Sequence, residues 1–297
     1  MTMNGPLKNI FELQVKSLKG FNFQDFVSEL FLLKFGERDF IPPRKVKDKG
    51  CDGIIASERR VVSCYAPEAN NSREFLKKVN DDFGSYKINW EKDYPNWMFI
   101  TNLEVSPDQV KKINELKPDA QFMGIKNILA LIEDLHSFKR KKLGRYLRIE
   151  DIYFTRDYLQ EILEDLLKEA DIDDMRVPYS KPPYIPDKIE LNFSKEDVEG
   201  ALQEYEIACE YFPQISSLLS GYDTEIGRIK FKIITDYNKT MGYFKERLEL
   251  QTQRYLEKYA SEDDDDYLFY IRAILLYIFE QCLIGQKTGV EKSEGKK

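Results

Sequence analysis

The sequence predicts an α/β N-terminal domain joined through a proline-rich linker to a mostly helical C-terminal domain. Three observations carry this expectation. Residues 21–138 alternate helix-period patterns with short apolar runs, the signature of strands connected by crossover helices. MRVPYSKPPYIPDK then carries Pro178, Pro182, Pro183 and Pro186, a stiff extended stretch that marks a boundary. Beyond it lie three long helical stretches, near 194–219, 222–259 and 266–284, separated by SGYD and by the acidic run Glu262 to Asp266.

Taken in order, FNFQDFVSELFLLKFG places Phe23, Phe26, Val27, Leu30, Phe31 and Phe35 at spacings of three and four, an amphipathic helix stopped by Gly36. A short FIPP segment and the polar loop KVKDKG follow. GIIAS and VVSCYA read as neighbouring strands, joined by SERR closely enough for a hairpin. REFLKKVNDDFGSY reads as a helix and WMFITN as a buried strand. SPDQVKKINELK is a helix with Ser106 as N-cap and Pro107 at its first position. AQFMGI reads as a further strand and KNILALIEDLHSF as a closing helix. Residues 152–170 are helical in pattern, and KIELNF reads as a short strand. The resulting boundaries are 1–150, 151–187 for a helix and linker, and 188–297.

Composition narrows the function. With 297 residues, 42% hydrophobic and 33% charged, the chain is long enough for two cores and unlike disordered or fibrous proteins. Residues 1–150 carry 26 Lys and Arg against 21 Asp and Glu, while the remainder carry 19 against 31. That asymmetry points to nucleic acid as a partner of the first half. Cys51, Cys64, Cys209 and Cys282 show no zinc-type spacing and read as reduced thiols. The N-terminus has no basic segment leading into an apolar stretch, so no signal peptide is expected. The apolar window from Tyr267 to Gly285 contains Arg272, Glu280 and Gln281, as a buried helix would and a membrane span would not. A cytoplasmic protein is expected.

The stretch Cys51 to Glu68 carries the chemistry. Phosphodiester hydrolysis at neutral pH commonly uses a divalent cation held by carboxylate oxygens, with a lysine steadying the developing charge. Restriction-type nucleases build this from an Asp at the edge of one strand and an E/Q-x-K on the next, often with a Glu from the preceding helix. Here Asp52 opens the first strand, Ser63 and Tyr65 share a face of the second, and Glu29 lies on the helix before the hairpin, with Gln24 its rival for the site-facing position. Glu68 is a second metal ligand or a turn carboxylate. Asp48 caps a loop or lines the site.

In order, FQDFVSEL, KDKGCDG, SCYAPE, KKVNDDF and WMFITN resemble the PD-(D/E)xK nuclease domain of the Mrr-like group, over about residues 15–135. They are most similar to the nuclease subunits of bacterial three-component ABC-ATPase defence systems of the Lamassu type. The C-terminal half is similar in character to the association domain of such subunits. The resemblance implies a restriction-endonuclease-like fold and a Mg²⁺- or Mn²⁺-dependent DNA endonuclease. It further implies a subunit held by an SMC-like ATPase and a third accessory subunit, and active on release or oligomerisation. Carried onto this chain, Asp52 and Glu29 hold the metal and Ser63 occupies the strand position. Ser63-Cys64-Tyr65 stands where the wider superfamily has Q-x-K, so the ammonium is expected from Lys78, or less readily Lys77, on the next helix. If the SCY departure abolishes hydrolysis, the chain is instead a nuclease-fold subunit for DNA binding or assembly. A stand-alone restriction enzyme fits less well, because the acidic C-terminal half shows no specificity domain.

Other features have plainer explanations. The cluster Lys139 to Lys142 with Arg145 and Arg148 either contacts phosphates or forms a solvated helix end. His136, the only histidine, leaves no Ser-His-Asp arrangement. The run Glu262 to Asp266 reads as a solvated loop at a helix start.

Overall fold

Asn4, Pro6 and the apolar trio Leu7, Phe11 and Val15 begin the chain with a helix that the strand-and-crossover pattern does not anticipate. The computed structural model describes residues 3–43, 49–68, 71–170, 184–222, 225–260 and 265–287. Its first helix, α1 (Gly5–Ser17), is capped by the Asn4 side chain, which accepts from the Leu7 N–H at 2.9 Å. The trio at i, i+4 and i+8 is wholly buried. Contacts divide the chain into two units, Met1–Phe154 and Thr155–Lys297.

In the first unit, α2 (Gly20–Phe35) precedes β1 (Phe40–Ile41), β2 (Gly53–Ile55) and β3 (Arg60–Tyr65). Then come α3 (Ser72–Asn89), β4 (Asn96–Thr101), α4 (Pro107–Leu116), β5 (Gln121–Met123), α5 (Ile125–Glu133) and α6 (Ser137–Tyr146). The sheet order is β1-β2-β3-β4-β5, antiparallel across the first three strands and parallel across the last three. The hairpin and the two crossovers fall where the periodicity predicts them. Gly53 is required, since a Cβ there would come within 2.6 Å of the Phe40 ring. The single helix expected over KNILALIEDLHSF ends at Glu133, and a new one starts at Ser137.

One face of the sheet buries Val61, Trp97 and Phe99 against Phe75, Val79 and Tyr86 of α3 and Ile113 of α4. Trp97 and Tyr86 stack with centroids 6.0 Å apart, and the Tyr86 hydroxyl donates to the Tyr94 carbonyl at 3.0 Å. Burial pushes the Tyr86 phenol up to about 12 from its ordinary 10.0. The folded form therefore holds that proton more tightly than the unfolded chain, so the stabilisation is complete below pH 10.0 and is lost as pH rises toward about 12. Tryptophan fluorescence, which reports Trp97 beside this ring, is expected to show unfolding in that window, and Tyr86→Phe is expected to move the midpoint upward. An unchanged midpoint would assign the alkaline transition to other tyrosines.

The second unit contains most of α7 (Ile152–Lys168), followed by α8 (Ile185–Asn192), α9 (Val198–Cys209), α10 (Phe212–Ser220), α11 (Ile226–Lys239), α12 (Phe244–Leu256) and α13 (Asp265–Glu280). KIELNF is thus helical, not a strand. Pro186 sits at the first turn, where its missing N–H costs nothing, and Lys188 donates to the Phe279 carbonyl at 2.6 Å from a fully buried position. The stretch 194–219 breaks at Glu210–Tyr211, with Pro213 opening the next helix, and 222–259 breaks around Gly242 at φ 121°. The core of this unit is α13. Tyr267 donates to Glu161, Tyr259 to Asp165 and Tyr255 to Asp236, at 3.0, 3.1 and 3.0 Å, so buried carboxylates are paired with phenols. Arg272 makes a bidentate pair with Glu204 at 2.7 and 2.8 Å. Among the described residues no helix is long and apolar enough to cross a membrane.

Candidate functional site

Asp52 is fixed by the hairpin itself. Its N–H donates to the Val62 carbonyl at 2.8 Å, extending the β2–β3 ladder by one bond. Its carboxylate oxygen Oδ2 accepts from the Cys64 N–H at 2.6 Å. The start of β2 thereby lies beside the carboxyl end of β3, the end of a parallel sheet where ligands bind in open α/β folds.

A cavity of about 300 Å³ opens there, lined by Gln24, Asp25, Ser28 and Glu29 of α2, by Cys51 and Asp52, and by Tyr146 of α6, with Leu32, Pro42 and Pro43 completing the wall. Glu29 and Asp52, predicted as partners from separate elements, line the same cavity, and Gln24 lines it as well. Asp25 was missed. Its spacing of four from Glu29 on α2, which puts both carboxylates on one helix face, was the available signal. Burial, reinforced by the nearby charges of Asp25 and Glu29, pushes the Tyr146 phenol up. Asp52, Asp25 and Glu29 supply hard oxygen donors of the kind Mg²⁺ takes. Among the described residues no three Asp, Glu, His or Cys side chains form a ready-made metal cluster.

The other predicted residues are distributed differently. Ser63 is fully buried and faces away from this cavity. Its hydroxyl donates to the Gly50 carbonyl at 3.0 Å and accepts from the Trp97 indole N–H at 3.0 Å. Tyr65, on the same face, packs against Phe75 and Phe99. Ser63, expected in the catalytic set, is thus placed apart from the cavity that Asp52 and Glu29 line, and these two hydrogen bonds hold the aromatic core to the strap that carries Asp52. Ser63→Ala is expected to leave a buried donor and acceptor unmatched and to cost about 2 kcal/mol of stability, read from a urea transition. A loss below a few tenths of a kcal/mol would show that the strap is held without the hydroxyl.

Lys78 pairs with Asp82 one turn along α3 at 2.5 Å and does not line the cavity. Both still act on the end of β3. Burial pushes the Cys64 thiol well up, Asp52 and Asp82 push it further, and Lys78 opposes them. Cys64 is thus a protonated, buried thiol and no nucleophile. Glu68 is exposed past the end of β3 and is absent from the cavity wall, so its place among the metal ligands is not supported by position. Asp48 lies outside the described residues.

The basic cluster divides as well. Arg140 is buried and donates to the carbonyls of Glu133 and Leu135 and to the Ser137 hydroxyl, satisfying the end of α5. Lys141 and Arg145 both reach Asp151, at 3.6 and 2.6 Å. Lys142 lies over the Phe138 ring at 4.0 Å. His136 is exposed and precedes α6 as its N-cap. Of the acidic run, Asp265 and Asp266 open α13, where the helix dipole favours carboxylates; Glu262 to Asp264 lie outside the described residues. No known family, curated protein or solved structure matches the chain.

Proposed function

We propose that the N-terminal unit is a restriction-endonuclease-like domain that hydrolyses DNA phosphodiesters with Mg²⁺ or Mn²⁺, and that the chain is the effector subunit of a cytoplasmic anti-phage defence complex. The observation that carries this is the convergence of Asp52 and Glu29 on one cavity beside the carboxyl end of β3. Asp52, Glu29 and the amide oxygen of Gln24 would hold the cation, whose chemistry is to polarise the phosphate and activate water. The Cys64 amide orients the Asp52 carboxylate. Lys78, steadied by Asp82, contributes positive potential at the end of β3, so its role here is that of a positioning charge. The helical unit, which exposes Ile207, Met241, Tyr243 and Leu250, would take up the SMC-like ATPase and the accessory subunit and mediate homo-oligomerisation on release. The test is incubation of the full chain, over a range of concentrations, with plasmid and linear DNA in Mg²⁺ or Mn²⁺, beside Asp52→Ala and Lys78→Ala. Wild-type cleavage that is lost with Asp52 supports the proposal.

One observation favours the alternative of a nuclease-fold subunit for DNA binding or assembly: Ser63 and Tyr65, which replace the E/Q-x-K pattern, point into the aromatic core. Such a protein would neither cut DNA nor gain thermal stability from Mn²⁺.

A further inference from the structure

Helix α6 ends in a six-to-one turn, with the Ile149 N–H donating to the Gly144 carbonyl at 2.8 Å and the Arg148 N–H to the Arg145 carbonyl at 3.0 Å. The residue in the left-handed position of this turn is ordinarily glycine, because a side chain there is strained. Here it is Arg148, at φ 61° and exposed. Two residues earlier, Tyr146 lines the carboxylate cavity. One turn before that, Lys142 sits on the same helix face, about 6 Å along the axis. Asp151 takes up Lys141 and Arg145, whereas Lys142 and Arg148 form no ion pair among the described residues. Tyr146 thus has one cation four residues before it on α6 and another two residues after it in the closing turn, neither with a carboxylate of its own and the second kept at a strained position.

We propose that the C-terminal half of α6 is the docking ridge for the DNA backbone, with Lys142 and Arg148 each neutralising one phosphate on either side of Tyr146. This rests on the cavity being the phosphodiester site. Cations beside a phosphodiester site attract the strand's phosphates and set its path across the cavity that Asp25, Glu29 and Asp52 line. It also divides the basic cluster by role: Arg140 closes α5, and Lys142 and Arg148 face the ligand.

The experiment titrates the full-length protein with a fluorescein-labelled DNA duplex across a NaCl series in Ca²⁺, which takes the same oxygen ligands. For Lys142→Glu combined with Arg148→Gly, the slope of log affinity against log salt is expected to fall by about 2 and low-salt affinity by about tenfold or more. Arg148→Gly alone is expected to raise Tm by about 2–4 °C, because glycine relieves the left-handed strain, while weakening DNA binding. Opposite signs for stability and binding are not expected of a residue that merely caps a helix. An unchanged slope in the double variant, or a wild-type chain that does not bind the duplex at low salt, would overturn the proposal. Asp52→Asn separates this from the catalytic assignment: its cleavage result judges the cavity, and the salt slope judges α6.

Discussion

Asp52→Asn is expected to lower Mg²⁺-dependent DNA cleavage by about 10³-fold, the consequence of losing several kcal/mol of metal-mediated charge stabilisation at 1.36 kcal/mol per decade. The substitution is chosen because it spares the fold. An amide oxygen at the same place still accepts the Cys64 N–H that Asp52 Oδ2 accepts at 2.6 Å, and the Asp52 N–H to Val62 bond belongs to the backbone. Asparagine keeps the volume of the side chain and its acceptor oxygen, so the metal-free variant is expected to be about as stable as wild type. Only the metal-dependent increment should disappear. Wild type gains about 2.7 kcal/mol at a cation concentration of 100 times Kd, and the variant should gain little at the same concentration. Thermal melts with and without Mn²⁺ measure this directly. Cleavage at the wild-type rate would remove Asp52 from the mechanism. Lost cleavage with the metal-induced shift intact would put the cation elsewhere.

Arg140→Met is expected to destabilise the N-terminal unit by about 3 kcal/mol or more. Arg140 is 2% exposed, and its guanidinium donates to the carbonyls of Glu133 and Leu135 and to the hydroxyl of Ser137. Methionine replaces the aliphatic stem and fills most of the space, so the loss isolates the unmatched acceptors at about 1–3 kcal/mol each. Lysine cannot substitute, because one ammonium lacks the planar fork that reaches all three. Urea denaturation followed by circular dichroism is the measurement. A change under 1 kcal/mol would mean that water takes over these carbonyls and that α5 ends without the arginine.

Much of the fold was legible from local pattern. The hairpin, the crossover helices α3 and α4 and the strands β4 and β5 follow from periodicity and from caps such as Ser106-Pro107, because those signals lie within a few residues of the elements they specify. The failures share a cause. Ile189, Leu191 and Phe193 alternate as strand residues do, yet α8 is a helix because the described part of this unit offers no neighbouring strand and Lys188 is drawn to the end of α13. The break between α11 and α12 turns on Gly242, an isolated glycine whose left-handed backbone cannot be told from a tolerated helical one by sequence.

The candidate site divides in the same way. Residue chemistry alone singled out Asp52 and Glu29, since carboxylates at a strand edge and on a preceding helix are a property of type and order, and both line one cavity. What required the tertiary structure was direction. Alternation along β3 states that Ser63 and Tyr65 share a face but not which layer covers it, and the packing of α3 makes that face the aromatic core. Likewise KRKK is four equal cations in sequence. Burial consumes Arg140, Asp151 engages Lys141, and Lys142 is left on the face that carries Tyr146. Composition and spacing act through near neighbours along the chain, whereas the partner of a side chain is set by whichever distant segment the sheet and helices bring against it.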